Sequence, residues 1–566
     1  MVALTAEFVG AVSTAALLLF GGSLVAELTA SPAPSRVRDV SPEVIGLGVA
    51  LLVSGLAAAV VRESRFLVVE EVARHTQREI VEITSSVDYS MYERQDFNDL
   101  LDRSNQSASS SSHQMVFDLL GIFNTVVTSV VLVGLLATQV PAVLPALLLL
   151  ALPFLWAARA SARLAFVTTY ELTPQDRLRR YLYRALSTKR HGKELRVFGL
   201  APPLEQRWDE LCDERMSRMY SLSRRRLLLQ GAAVLAGAAL VVSVLTLVVR
   251  AAILGQITLA EAAVAIVALQ QLSSRARAVS GRAGSLREST LFLDDFDAFR
   301  ALRVETVETD PGPMPPFETL RVDQMSFTYP GTEREVLHDV SIELHRGEIV
   351  ALVGVSGSGK TTLSHLVAGL YQPTRGRITW DGVDVSTVAQ ATYWRSMGVV
   401  FQDFVCYELS ARENIAFSDH RRLDELEAIR SAARRADIAP TLEQLAHGYE
   451  TMLSRSYERG ADLSVGQWQR VAIARAFFRE ARLLILDEPA AALDAVAEQA
   501  LYKRLVELCV DRTVLLVSHR FSTVRLADRI YVMQDGRVVE TGTHAELLAL
   551  DGHYAQLFRV QAAGYL

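Results

Sequence analysis

Cysteine is scarce. The 566 residues hold three, Cys212, Cys406 and Cys509, without metal-ligand spacing and too scattered for a disulfide framework. Positive charge is not in excess. Lys and Arg number 58 against 64 Asp and Glu, a net charge of −6, so there is no electrostatic case for nucleic acid as the main partner. No basic segment precedes the first apolar run, which therefore reads as a membrane span rather than a cleaved signal.

What the chain has in plenty is apolar length. Apolar residues make up 50% and mean hydropathy is +0.20. The excess lies before about Gln271, and the rest has the composition of an ordinary globular domain. A spanning helix needs about 20 mostly apolar residues, and six segments qualify: roughly 6–28, 44–61, 115–137, 139–157, 231–250 and 257–274. Backbone in lipid must satisfy itself, so each is a helix. Thr258 and Glu261 have the spacing of a capping box opening the sixth. That role accounts for Glu261 without a substrate site, and Asp118 complements the dipole of a helix start.

The loops set the orientation. Spans three and four are joined without charge, whereas Arg62, Arg65, Arg74, Arg78, Arg94 and Arg103 follow span two and Arg275, Arg277 and Arg282 follow span six. Both ends are then cytoplasmic. The long basic loops lack turn clusters and read as helices continuing below the membrane, a twenty-five-residue arm reaching about 37 Å. Their tips, "FNDLLDRSN" (97–105) and "KELRVFGLAPP" (193–203), are either solvated helical faces or contact surfaces for the second domain. "VETVETDPGPMPP" (304–316) has no period and separates a membrane domain, 1–303, from a second domain, 317–566.

The second half reads as an α/β P-loop domain. In "EIVALVGVSGSGKTTLSHLVAGL" a strand, a glycine-rich loop and a helix follow in order, with Gly354, Gly359, Lys360 and Thr361 as G-x-x-x-x-G-K-[ST]. Backbone N–H groups surround a phosphate chain and the helix turns its positive end to it. Lys360 reaches the β- and γ-phosphates, and the Thr361 hydroxyl ligates magnesium. "RLLILDEP" (482–489) reads as a strand buried on both faces. Asp487 at its end can hold the metal. Glu488 can activate water, provided that it has begun the turn. Gln402 and His519 end two further apolar strands, where ligands of such sheets bind. Gln402 can see the metal and its water, and His519 the γ-phosphate. Tyr329 can stack on adenine or be a core tyrosine.

"LSVGQ" (463–467) opens another helix, with Ser464 at its N-cap. Ser464, the N–H groups of Val465 and Gly466, and Gln467 form a second anion-facing helix start. One phosphate chain hardly needs two such cradles from one domain. The economical reading is that this one covers a nucleotide held by another copy, two domains meeting head to tail with ATP between them.

These residues resemble the nucleotide-binding domain of an ABC transporter. "GVSGSGKTT" looks like its Walker A, which implies ATP contacts from Ser356, Gly357, Ser358 and Thr362 as well. "LLILDE" looks like Walker B with its catalytic glutamate, "LSVGQ" the signature, Gln402 the Q-loop, "AALD" (491–494) the D-loop with Asp494, "SHR" the switch histidine, Tyr329 the A-loop aromatic and "YERG" (457–460) the X-loop. Six spans with long arms ahead of the ATPase resemble an exporter-type half-transporter. The resemblance implies ATP and Mg2+ as cofactors, the two tips as coupling helices, the plasma membrane as location, and a second copy as partner, a homodimer being favoured over a heterodimer. The family's signature has glycine where Val465 stands. An exporter-fold importer or a non-transport ABC ATPase remain alternatives. No N-terminal peptidase domain is visible, so leader cleavage is not expected, and a peptide, a lipid or an amphipathic small molecule fits the apolar walls equally well.

Overall fold

The computed structural model describes residues 2–29, 41–106, 112–139, 144–189, 191–303, 314–490 and 512–563. Most of the expected linker and the whole "AALD" segment with Asp494 lie outside the described residues. The chain divides into two units, Met1–Val87 with Asp96–Val304, and Asp88–Gln95 with Glu305–Leu566.

The first unit is helical: α1 (Val2–Thr29), α2 (Ser41–Ser86), α3 (Gln95–Gln106), α4 (Ser112–Gln139), α5 (Leu144–Ser187), α6 (Gly192–Val197), α7 (Ala201–Ile253) and α8 (Leu259–Arg300). Among the described residues α1, α2, α4 and α7 are long and apolar enough to cross a membrane; the described parts of the fourth and sixth expected spans lie mostly in α5 and α8. At about 1.5 Å per residue α7 is about 80 Å long, far more than the ~30 Å of a hydrocarbon core. Its apolar C-terminal half therefore continues a polar arm. Small residues let the helices close up: Gly237 lies where a Cβ would stand 2.6 Å from the Phe154 ring. The capping box of α8 forms as expected, the Thr258 hydroxyl accepting from Glu261 N at 3.2 Å and the Glu261 carboxylate from Thr258 N at 2.6 Å.

The first expected tip needs correction. Residues 97–105 lie in α3, which packs inside the helical unit. Phe97 is buried on Phe299, Asp99 pairs with Arg177, and Arg103 reaches Asp295 at 3.1 Å. The segment that groups with the ATPase residues is the one before it, Asp88–Gln95. Its 3-10 turn Tyr89–Glu93 sets Tyr89 edge-on to Tyr371 at 5.7 Å, and Glu93 accepts from the Tyr371 hydroxyl at 3.0 Å. Burial and Glu93 push that hydroxyl's pKa up, so it stays a donor.

The second unit has two sheets. One is antiparallel, β2-β1-β4-β5 (Thr319–Thr328, Glu335–His345, Arg375–Trp380 and Val383–Asp384 being β1, β2, β4 and β5). The other runs β10-β9-β3-β8-β7-β6, from Arg537–Gly542, Arg529–Gln534, Ile349–Val353, Thr513–Val517, Leu483–Asp487 and Met397–Val400. Its members are parallel except for the edge strand β10. "IVALV", "LLILD" and "TVLLV" are buried at every position, as uninterrupted apolar runs covered on both faces must be. The carboxyl ends of β3, β6, β7 and β8 converge on one side of this sheet, where ligands of open α/β sheets bind.

Candidate nucleotide site

The loop after β3 is shaped by three glycines. Gly357 and Gly359 have φ of +81° and +101°, backbone that L side chains rarely adopt. At Gly354 the reason is closeness, since a Cβ there would lie 2.2 Å from the Met533 carbonyl oxygen. α9 (Lys360–Val367) then starts with its free N–H groups turned back on the loop. Lys360 is buried, and its ammonium donates to the carbonyls of Gly354 and Val355 at 2.9 Å each. Burial lowers its pKa, against the pull of Glu488 and Asp487.

β7 ends at Asp487, and Glu488 stands at φ +49°. The strand has therefore stopped, the condition on which the two carboxylates could act together. The Glu488 carboxylate meets His519 Nδ1 at 2.7 Å and accepts from Gln402 Nε2 at 3.4 Å. A residue that sequence reasoning missed holds this turn: buried Gln469 donates to the Glu488 carbonyl at 3.1 Å. Only its place two residues beyond the signature could have pointed to it.

Gly354, Ser356, Gly357, Gly359, Lys360, Thr361, Thr362, Gln402, Glu488 and His519 line a single cavity of about 640 Å³. Ser358 is buried behind it, its hydroxyl 3.4 Å from the Lys360 ammonium. Val336 and Leu557, Val560 and Gln561 of the helix His553–Ala563 also line the cavity, and nothing in their sequence announces it. Tyr329 is not part of that lining. Its ring meets Phe327 and Tyr371 edge-on at 4.9 and 5.4 Å, and its hydroxyl meets Thr362 Oγ1 at 2.9 Å, so the core-tyrosine reading accounts for what the structure shows.

The residues fit a magnesium ion. Asp487 is 1% exposed, and its Oδ1 has no hydrogen-bond partner, while Oδ2 accepts from Ser364 at 3.4 Å. Burial pushes its pKa up to about 6, with the Thr361 and Ser364 hydroxyls pulling the other way. Among the described residues no group of three or more His, Cys, Asp or Glu could hold a metal. Magnesium commonly takes one or two carboxylates, a hydroxyl, phosphate oxygens and water, and this site offers that set. Linkage then gives the pH dependence. The native carboxyl keeps its proton to higher pH than the unfolded chain's, so without magnesium stability falls as pH rises from the ordinary aspartate value of 3.8 to about 6. Asp487→Asn removes that buried charge. It should raise the melting temperature of the metal-free protein at pH 7 and abolish stabilisation by Mg-ATP, both read by differential scanning fluorimetry.

Ser464 is the N-cap of the helix Val465–Phe478, and its hydroxyl and Gln467 form a capping box, 3.3 Å from Gln467 N and 2.8 Å from Ser464 N. Val465 has ordinary helical backbone, absent from the positive-φ residues, and is 67% exposed. Its conformation does not call for glycine. The signature residues do not line the cavity of their own chain.

Residues 337–491, within the second unit, match the family described as ABC transporter. The whole chain superposes on a bacterial Atm1-family ABC exporter with ATP bound, with a TM-score of 0.85 and 23% identity, covering 99% of this chain and 97% of that one. It therefore has the exporter fold. It is 43% identical over 245 residues to the ATP-dependent lipid A-core flippase of Alkalilimnicola ehrlichii, an alignment covering 43% of this chain and 41% of the flippase. It is 28% identical over 462 residues to the subtilin transport ATP-binding protein SpaT of Bacillus subtilis, covering 81% of this chain and 75% of that protein. The chain thus spans about two fifths of the flippase it matches.

Proposed function

We propose that this chain is half of an ATP-driven exporter in the plasma membrane, its ATPase domain in the cytoplasm and its working form a homodimer. The observation that carries this is the split of the phosphate machinery. One cavity gathers Lys360, Thr361, Gln402, Glu488 and His519, while the capped turn at Ser464 stands apart from it, exposed at a helix start.

In the reading proposed, ATP joins two copies. The Walker A residues of one hold the phosphates, and Ser464, Val465, Gly466 and Gln467 of the other cap the γ-phosphate. Magnesium, held by Asp487, Thr361 and Gln402, would supply charge neutralisation at the phosphates. Glu488 takes a proton from the attacking water and His519 orients its carboxylate. The turn Tyr89–Glu93 is the first coupling tip. Val197 and Phe198, 79% and 68% exposed at the end of α6, are the second and need an apolar cover. ATP must bind the closed pair better than the open one, or it could move nothing. Inside-out vesicles test the direction. ATP-dependent accumulation in the lumen supports export, and ATP-dependent loss of preloaded substrate supports the importer reading.

The valine in the signature gives a further expectation. Val465→Gly should leave ATPase activity within about threefold, because helical backbone accepts valine at a cost below ~1 kcal/mol. A gain of tenfold or more in a steady-state phosphate-release assay would show that the native signature is impaired and that a different half-transporter is the partner.

A further inference from the structure

We infer that the helical unit carries a binding cavity for the acidic head of an amphipathic molecule, built between α1, α2, α4 and α8 where their apolar spans give way to the cytoplasmic arms. Such a molecule is a substrate class for the exporter, and its transport once bound rests on the export reading. The cavity has a volume of about 600 Å³, within the range of small-molecule sites. Its charged lining is Glu7, Arg62, Arg65 and Arg275, with Asn124 beside them.

These groups are tied together. Glu7 is 5% exposed, pairs with Arg65 and accepts from the Asn124 amide. Arg275 donates to Asn124 Oδ1 at 3.1 Å. Arg282 donates to Thr125 Oγ1 at 2.8 Å and to the Gly121 carbonyl. A Cβ at Gly121 would stand 2.5 Å from the Arg282 guanidinium carbon, so a larger residue there would displace that side chain.

The balance of charge decides what such a cavity takes. Three guanidinium groups face one carboxylate, and that carboxylate is already paired with Arg65. Arg275 is attracted by Glu7 at longer range but forms no ion pair among the described residues, Arg62 is exposed at the rim, and Arg65 Nε is buried without a hydrogen bond. Cations removed from water without partners are costly. An incoming carboxylate or phosphate relieves that cost and suits guanidinium geometry, which accepts two oxygens at once. Apart from the hydroxyls of Thr14 and Ser54, the rest of the lining is apolar, mostly Gly, Ala and Val, with Phe66 and Phe117 also present. It suits a hydrocarbon tail running along α1 and α2. None of this is visible in the sequence, where Glu7 looks like a single acidic residue in an apolar run.

Equilibrium binding of radiolabelled dodecyl phosphate to the full-length protein in maltoside detergent, without nucleotide, tests the inference. Saturable binding is expected. Dodecanoate should compete and dodecyltrimethylammonium should not. Arg275→Gln should weaken binding about tenfold or more, as loss of a charge-assisted hydrogen bond does. Arg62→Gln, at an exposed position whose replacement leaves the fold intact, should weaken it severalfold. Equal competition by the cation, undiminished binding by both variants, or displacement by inorganic phosphate alone at the same concentration would overturn it. Binding without nucleotide does not depend on hydrolysis. Charge-selective binding in a protein without ATP-driven transport would end the export reading and leave the site standing; transport without such binding would do the reverse.

Discussion

Glu488→Gln should lower ATP turnover by ~10²–10⁴, the usual contribution of a general base, while ATP binding survives. The geometry gives the reason. Glu488 has left the strand at φ +49°, so its side chain joins the phosphate cavity with Gln402 and His519. Asp487, one residue earlier, stays buried. Glutamine keeps the shape and the contact with Gln402 but cannot take a proton from water. The backbone hold from Gln469 on the 488 carbonyl is untouched. Binding should therefore be normal in a filter assay with labelled ATP, with only phosphate release lost. Normal release would mean that another group activates the water.

The second large effect belongs to a glycine. Gly354→Ala puts a methyl group 2.2 Å from the Met533 carbonyl oxygen and 2.6 Å from Ser358 Oγ. Backbone cannot yield as a flexible side chain does, so the whole loop must shift. Overpacking of this kind costs about 1–3 kcal/mol, which should weaken ATP binding by roughly ten- to a hundredfold. Gly357→Ala is the control. It has the same side chain and the same loop, but nothing lies within 4 Å of its Cβ, and only the φ of +81° is strained. It should weaken binding severalfold less. Equal losses in the two variants would show that backbone freedom, rather than close approach, sets the loop.

The contrast marks where sequence reasoning reaches. A motif at fixed spacing, such as Gly354 to Thr361, can be read because each residue acts on its chain neighbours. The long apolar runs of α1, α2, α4 and α7 announce themselves because solvent selects them one helix at a time. The turn at Glu488 is legible as a condition, since adjacent strand residues point apart, and the positive φ satisfies it. What stays hidden depends on distant partners. Glu7 meets Asn124, 117 residues away, and Arg275 meets the same Asn124 across 151 residues. Residues 97–105 read as a tip in the sequence because they mix charge with an aromatic that looks exposed. The apolar face of α3 is spent on Phe299, and its charges on Arg177 and Asp295. Residues of the C-terminal helix line the phosphate cavity for a similar reason. Their sequence is that of any surface helix.

The central claim is that Walker A of one chain and the signature of another share one nucleotide. Disulfide formation measures this directly, because a bond requires Cα atoms about 4.4–6.8 Å apart. Ser356→Cys and Val465→Cys are exposed positions, and the pair would be introduced after the three native cysteines are replaced by serine. Oxidation in Mg-ATP, with Glu488→Gln present to hold the closed state, should give a covalent dimer on a non-reducing gel, and little without nucleotide. A protein that binds ATP but remains monomeric under oxidation would contradict the account.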